Sequence, residues 1–262
     1  SQHYNCVWLY ENNGQENEQF SFQKDVFLVD EMIDVNERAN PAFFDHNNDG
    51  LLDIVVANKG YKNDNPAPDE AEFVPALALY ENVGTAESPA FMLISKDYAT
   101  VSAQFTVDRT DLNPAFGDLD GDGDDDMLLG DRDGYIHFFR NNEVDGIANF
   151  EMPPVAFEGE RFQNLDINQY ASPYLVDANR DGLLDLLVGQ RNGEIYYFEN
   201  IGTTESPLFS QVSSYWGTID VQEFGDITGH AIPNLVERSG NYVLLVGNEA
   251  GYIHYYKDVE AN

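Results

Sequence analysis

Short runs of consecutive apolar residues recur along this chain, and each is bounded by polar turns rich in Gly, Asn and Asp. The runs cover residues 54–56, 127–129, 186–188 and 243–246. A strand with one face in water alternates apolar and polar residues, so consecutive apolar residues predict strands that are buried on both faces. No helical period is sustained, and Gly and Pro interrupt the chain too often for long helices. The pattern therefore predicts an all-β protein.

A longer repeat surrounds these runs. A proline precedes each run, at Pro41, Pro114, Pro173 and Pro233, and an aromatic strand follows it, at residues 78–82, 135–141, 194–200 and 252–256. The prolines are 73, 59 and 60 residues apart. A period near 60 with several short strands per unit is typical of a β-propeller. The predicted fold is one propeller domain over residues 1–262, with four-stranded blades near 41–110, 114–167, 173–222 and 231–257.

The first recognisable segment does not match the start of a blade. Residues 6–12 align with the aromatic strand, which is the third strand of a blade, and residues 252–257 are also a third strand. Residues 1–38 therefore count as a half-blade, and the last blade lacks its fourth strand. We expect about four blades of a larger propeller, for example a seven-bladed one, whose remaining blades or other domains belong to a longer chain.

A nine-residue acidic loop precedes three of the four apolar runs, at residues 45–53, 118–126 and 177–185. Each loop has oxygen-bearing side chains at positions 1, 3, 5 and 9 and Gly at position 6. Calcium takes six to eight oxygen ligands, and Gly permits the sharp turn around it. Three calcium ions are predicted, held by side chains of Asp45, Asn47, Asp49, Asp53, Asp118, Asp120, Asp122, Asp126, Asp177, Asn179, Asp181 and Asp185, and by backbone carbonyls of Leu51, Asp124 and Leu183.

The competing interpretation of these loops is an EF-hand. An EF-hand requires a bidentate Glu at position 12 and a helix on each side of the loop. Position 12 is Val56 in the first loop, Leu129 in the second and Val188 in the third. The apolar run that follows each loop is too short, and too rich in residues that favour strands, to form a helix. The loops are therefore predicted to connect two strands.

The segment from Phe116 to Gly130 resembles the FG-GAP/VCBS repeat of integrin-α-type β-propellers. It reads Phe-Gly-Asp-x-Asp-Gly-Asp-Gly-x-x-Asp, followed by Leu-Leu-Gly after one more residue. The resemblance extends over nearly the whole chain and implies calcium between the first and second strands of a blade. It leaves the partner open, because such propellers serve adhesion, sugar binding and sometimes catalysis. The fourth repeat is two residues shorter and lacks the acids, so no metal site is expected there.

The charge of the chain limits its partners and its compartment. The formal net charge of −34 argues against nucleic acid and anionic membrane surfaces, which require clusters of Lys and Arg. No apolar run is long enough to insert into a membrane. Cys6 is the only cysteine, so no internal disulfide is expected. Weak calcium sites suit a calcium-rich exterior, and we expect an extracellular or cell-surface protein from a bacterial source.

No catalytic constellation is identifiable outside the loops. His137 and His254 occupy one repeat position, which favours packing, and a catalytic pair chosen from 47 acids would be arbitrary. Variation between repeats lies mainly in connections, at 143–149, 211–217 and the insertion 61–73, which is either functional or a polar loop without a role. The expected function is a non-catalytic binding or adhesion module for a glycan or protein partner. The alternatives are a polysaccharide lyase or hydrolase and a structural spacer.

Overall fold

The computed structural model describes residues 9–12, 20–24, 38–62, 73–105, 110–153, 165, 167, 169–223, 225, 228–257 and 259. The strands are β1 (Leu9–Asn12), β2 (Phe20–Lys24), β3 (Asn40–Phe44), β4 (Asp53–Ala57), β5 (Tyr61–Lys62), β6 (Phe73–Val74), β7 (Leu77–Asn82), β8 (Phe91–Ser95), β9 (Asn113–Gly117), β10 (Asp126–Gly130), β11 (Ile136–Asn141), β12 (Phe150–Glu151), β13 (Ser172–Val176), β14 (Asp185–Gly189), β15 (Ile195–Asn200), β16 (Phe209–Ser213), β17 (Ile232–Arg238), β18 (Asn241–Gly247) and β19 (Ile253–Lys257). One short helix, α1 (Val101–Gln104), and two 3-10 turns, Tyr98–Thr100 and Trp216–Thr218, complete the described elements.

The strands form the blades of a β-propeller, as the sequence predicts. Blade 1 is the antiparallel sheet β3-β4-β7-β8, blade 2 is β9-β10-β11-β12, blade 3 is β13-β14-β15-β16, and blade 4 is β17-β18-β19. Two further pairs, β1-β2 and β5-β6, are two-stranded. No helix in the described part of the chain has the length and hydropathy needed to cross a bilayer.

The second strands of blades 1, 2 and 3 are buried on both faces, which confirms the prediction from three of the four apolar runs. Every residue of β10 is buried. Met127 and Leu129 pack into the apolar cluster between blades 1 and 2, whereas Leu128 packs into the cluster between blades 2 and 3. Successive side chains of one strand therefore fill two different blade interfaces.

The first strands of neighbouring blades lie side by side, β3 next to β9, β9 next to β13 and β13 next to β17. All four begin at the same end of the propeller, which we call the cavity face, and run towards the opposite end, which we call the loop face. On the loop face β3, β9 and β13 continue into the acidic loops. In blade 4 a tight turn at Ser239 and Gly240 joins β17 to β18 in place of an acidic loop.

Backbone hydrogen bonds join each blade to the next on the cavity face. The N–H of Tyr170 donates to the carbonyl of Arg132 at 2.9 Å, and the N–H of Ala171 donates to the carbonyl of Asp131 at 3.0 Å. The same pair of bonds recurs from residues 230–231 to 190–191 and from residues 111–112 to 58–59. The turn after the second strand of one blade thus fixes the start of the following blade.

Blade 4 exposes apolar side chains that the other blades bury. Ile253 is 75% exposed and Tyr255 is 38% exposed. The matching residues of blade 3, Ile195 and Tyr197, are 0% and 3% exposed because they pack against blade 4. A larger propeller, in which a further blade covers this face, stays a prediction. The antiparallel pair β1-β2 fits the third and fourth strands of another blade. Cys6 lies outside the described residues.

Candidate functional sites: three acidic loops and a cavity on the opposite face

The ninth residue of each acidic loop is a fully buried aspartate that joins the loop to the third strand of its blade. Both carboxylate oxygens of Asp126 accept backbone N–H groups, from Leu119 at 3.1 Å and from Asn141 at 2.8 Å. The equivalent bonds run from His46 and Asn82 to Asp53, and from Ala178 and Asn200 to Asp185. Position 9 therefore has a structural role whether or not an ion is bound.

The exposed part of each loop folds around its own side chains. In the first loop, Asp45 accepts the N–H groups of Asp49 and Gly50 at 3.1 and 2.8 Å, and Asp49 accepts that of Leu51 at 2.8 Å. The third loop repeats these bonds at Asp177 and Asp181. Position 6 is a glycine with φ between 84° and 97° in all three loops, and a Cβ there would meet nothing within 4 Å. The glycine is thus required by its backbone conformation and not by lack of space.

The second loop gathers three carboxylates. Asp118, Asp120 and Asp126 each place an oxygen within 4.8 Å of the others, the one such acidic group found among the described residues. Burial, together with the nearby charge of Asp120, raises the pKa of the Asp126 carboxyl to about 7, although its backbone hydrogen bonds act in the opposite direction. Burial and the charge of Asp122 also raise the pKa of Asp120. A hard divalent cation would relieve this repulsion, so the donor set fits calcium.

The residue that faces position 3 differs between loops. Asp120 of the second loop forms an ion pair with Arg140 at 3.0 Å, whereas Asn179 of the third loop donates a hydrogen bond to Glu199 at 3.1 Å. Arg140 and Glu199 are equivalent residues of the third strand. The first and third loops have Asn at position 3, so neither contributes a third exposed carboxylate. The second loop also carries Asp124 and Asp125, so it is the most acidic of the three, and Arg140 offsets one of its charges.

His137 and His254, which occupy one repeat position, stabilise the turns between the second and third strands of their blades. The ring of His137 is hydrogen bonded to Asp131 at 2.8 Å, and the ring of His254 to Asn248 at 3.1 Å. Asp131 and Asn248 are themselves equivalent residues that accept N–H groups of their turns. These contacts give both histidines the structural role that their repetition predicts.

A cavity of about 220 Å³ lies on the cavity face and is lined by residues of all four blades. Four of its lining residues stand three positions before the repeat prolines: Arg38, Asp111, Tyr170 and His230. Their φ angles are 63°, 57°, 58° and 48° respectively. This left-handed conformation is uncommon for residues other than glycine and marks positions that the surrounding structure holds firmly. The same position in each of the four repeats thus places a different polar side chain at the wall of one cavity.

These side chains contact one another around the ring of Tyr170. The Arg38 guanidinium lies 4.8 Å from the ring centre and forms a 3.1 Å ion pair with Asp111. The His230 ring is 4.3 Å from that of Tyr170, and its Nε2 is 3.5 Å from Glu249. Burial lowers the pKa of His230, against the opposing charge of Glu249. The imidazole is therefore mostly neutral at pH 7.

Sequence analysis missed this group because its members are about 60 or more residues apart. The sequence signal that points to the cavity is the variation between the four repeats. The residue three positions before each proline changes in every repeat, although the strands that follow it are alike. Aligning the four repeats at their prolines and searching for variable polar positions would have found the cavity.

The insertion 61–73 starts and ends on the cavity face. Its ends pair as β5 and β6, and residues 63–72 lie outside the described residues. Lys59, just before β5, places its ammonium 4.5 Å from the ring centre of Phe73, and its carbonyl accepts the N–H of Asp111. The insertion is therefore linked through Lys59 to Asp111, a residue that lines the cavity.

Comparison with known proteins identifies the repeat. Residues 118–188 match the FG-GAP-like repeat family, a segment that contains the second and third acidic loops. No curated protein matches the chain. Among solved structures, the chain is similar to a lectin of Agrocybe aegerita described as specifically recognising non-reducing terminal N-acetylglucosamine. The identity is 14% and the TM-score 0.37, over 97% of this chain and 74% of the lectin.

Proposed function

We propose that this chain, a β-propeller with FG-GAP-like repeats, is an exported binding module that is stabilised by calcium and recognises a glycan or protein partner. One observation carries the proposal: the predicted ion sites and the variable polar residues lie at opposite ends of the same strands. Strand β9 begins beside Asp111 on the cavity face and ends beside Asp118 on the loop face. Five strand residues span about 17 Å, so a ligand on the cavity face does not contact the ions.

Calcium has a structural role in this proposal. The predicted ligands at positions 1, 3, 5 and 9, with the carbonyl of position 7, enclose an ion between the first and second strands of a blade. The ion supplies positive charge to carboxylates that otherwise repel one another. An ion that binds only the folded chain, at 100 times its dissociation constant, adds about 2.7 kcal/mol per site to the free energy of unfolding. Such sites suit a calcium-rich exterior, and the net charge of −34 suits a soluble exported protein.

Deleting residues 62–72 tests where the partner binds. The two ends of the insertion pair on the cavity face, so its removal is expected to weaken attachment to the partner while folding and calcium content stay unchanged. Attachment would be measured on a glycan array and on immobilised surface polysaccharides. The matched control replaces two exposed apolar residues on the loop face, Val144→Ser with Ile147→Ser. Equal attachment of the deletion variant and the intact chain would contradict binding through the cavity face insertion.

Polysaccharide cleavage is the second candidate function, and one observation favours it. The cavity groups a neutral imidazole, His230, with Tyr170, Glu249 and Arg38, and such groups can transfer protons and bind a charged substrate. Incubating the calcium-loaded chain with plant and algal polysaccharides, and following reducing ends and unsaturated products, separates the two functions. Turnover that is lost on changing one carboxylate outside the three acidic loops would establish an enzyme and reject the non-catalytic module.

A further inference from the structure

We propose that the cavity binds a single neutral, hydroxyl-rich sugar residue through Arg38, Asn40, Tyr170, His230 and Glu249. This inference rests on the proposed function and deepens it, because it names the ligand class and its site. No part of it involves the acidic loops. The inference follows from the size of the cavity, from the pairing of its charges and from its mixture of polar and apolar walls.

The size of the cavity restricts the ligand to one small ring. Pockets that enclose drug-sized molecules measure roughly 300–1,000 Å³, and this cavity measures about 220 Å³. Its walls are preformed, because the N–H groups of Asp111, Tyr170 and His230 are each bonded to a carbonyl of the preceding blade. A preformed cavity needs little ordering when a ligand binds. These properties suit one terminal residue of a glycan.

The charged side chains that line the cavity already have polar partners. Arg38 faces Asp111, which is only 5% exposed, and His230 faces Glu249, which is 49% exposed. An anionic ligand would compete with Asp111 for Arg38, and a cationic ligand would compete with Arg38 for the Tyr170 ring. The strongly negative chain also disfavours the approach of anions. A neutral ligand disturbs neither pair.

Hydroxyl groups match the remaining hydrogen-bonding capacity. A hydroxyl both donates and accepts, a guanidinium only donates, an ionised carboxylate only accepts, and a neutral imidazole does one of each. Arg38, Glu249 and His230 together offer all three kinds of partner at the cavity wall. The Asn40 side chain lies beside them and donates to the side-chain oxygen of Asn113 at 2.5 Å. Several adjacent hydroxyls, as on a sugar ring, would use this mixture better than a single polar group.

The apolar walls fit the other side of a sugar ring. The residue immediately before the repeat proline is Asn40, Asn113 and Ser172 in three blades but Ile232 in blade 4, where it lines the cavity and is 39% exposed. The ring of Tyr170 adds further apolar surface. A sugar ring has a face of C–H groups as well as a rim of hydroxyls, so polar and apolar walls that meet in one small cavity suit it.

The test measures binding of free sugars to the calcium-loaded chain by isothermal titration calorimetry. The panel contains neutral hexoses and N-acetylhexosamines, the matching uronates and the matching amino sugars. At least one neutral sugar is expected to bind. Arg38→Gln and Glu249→Gln are each expected to weaken that binding about tenfold or more, the size of one lost charge-assisted hydrogen bond. Glu249 is half exposed, so its substitution keeps the test valid even if Arg38→Gln perturbs folding.

Arg180→Gln is the matched control. Arg180 also has positive φ, at 65°, and its guanidinium lies 4.6 Å from the ring centre of Tyr242, but on the loop face. This variant is expected to bind the sugar as the intact chain does. Unchanged binding in both cavity variants would overturn the site, and absence of neutral-sugar binding or tighter binding of a uronate would overturn the ligand class. Either result leaves the proposed function standing, because that function is tested separately by attachment of the intact chain to glycans and proteins and by polysaccharide turnover.

Discussion

Gly189→Ala is expected to lower the free energy of unfolding by about 3 kcal/mol, at the upper end of the cost of overpacking. An added Cβ would lie far inside van der Waals distance of the Ala231 carbonyl in the next blade. That backbone cannot move away cheaply, because the Ala231 N–H is bonded to Gln190 at 3.0 Å. Gly247 occupies the same position of blade 4, where the nearest atom is the Cβ of Ile232 at 3.9 Å. Gly247→Ala is therefore the matched control and is expected to cost under about 1 kcal/mol.

Denaturant unfolding in calcium buffer would measure both variants. Blade 1 shows what a side chain costs at this position, because Ala57 occupies it. The hydrogen bonds across that interface, from Asp111 and Leu112, measure 3.4 and 3.3 Å, against 3.0 Å at both bonds beside Gly189. Blades 1 and 2 are thus slightly further apart. Equal losses of stability at Gly189 and Gly247 would contradict the close approach of blades 3 and 4.

Asp185→Ala is expected to lower the free energy of unfolding by at least about 3 kcal/mol, even without calcium. The buried carboxylate accepts the N–H of Ala178 at 3.1 Å, the N–H of Asn200 at 2.8 Å and the hydroxyl of Tyr197 at 3.0 Å. Removing it leaves three donors without their partner, and each buried unsatisfied donor costs roughly 1–3 kcal/mol. The aspartate at position 9 thus stabilises the fold and is also a predicted calcium ligand.

Asp181→Ala provides the comparison within the same loop. Asp181 is a predicted ligand but is exposed, and its bonds are to the loop's own side chains and backbone. Both variants are expected to lose the ion of the third loop. In EDTA, however, Asp181→Ala should unfold close to the unsubstituted chain, whereas Asp185→Ala should remain strongly destabilised. If Asp185→Ala unfolded like the unsubstituted chain in EDTA, the structural role of position 9 would be wrong.

The features that the sequence predicts well are local in the chain. The acidic loops are nine contiguous residues, and their spacing alone indicates the strand–loop–strand unit that β9 and β10 form. The consecutive apolar residues 127–129 indicate two buried faces, and the structure assigns them to two blade interfaces. Both predictions hold because their physical cause lies in adjacent residues: a polar turn with Gly at position 6 in one case and the side-chain period in the other.

The features that sequence analysis missed depend on contacts between repeats. Asp111 and Tyr170 carry no motif, and only the propeller brings them together with Arg38 and His230. The pairing of Asp120 with Arg140 likewise joins a loop to a strand about twenty residues later. Neither positive φ values at residues other than glycine nor the distances between blades follow from residue type. Such features can be identified only once the fold is known.

Counting the calcium ions bound per chain tests the account most directly. After exhaustive dialysis into millimolar calcium buffer, elemental analysis and native mass spectrometry are expected to give three ions for the intact chain. Asp120→Ala, which changes only the second loop, is expected to give two, and EDTA should lower the melting temperature of both. Three ions in the intact chain and two in the variant would support the claim that the acidic loops bind calcium and so stabilise the propeller. An intact chain that retains no calcium would contradict that claim.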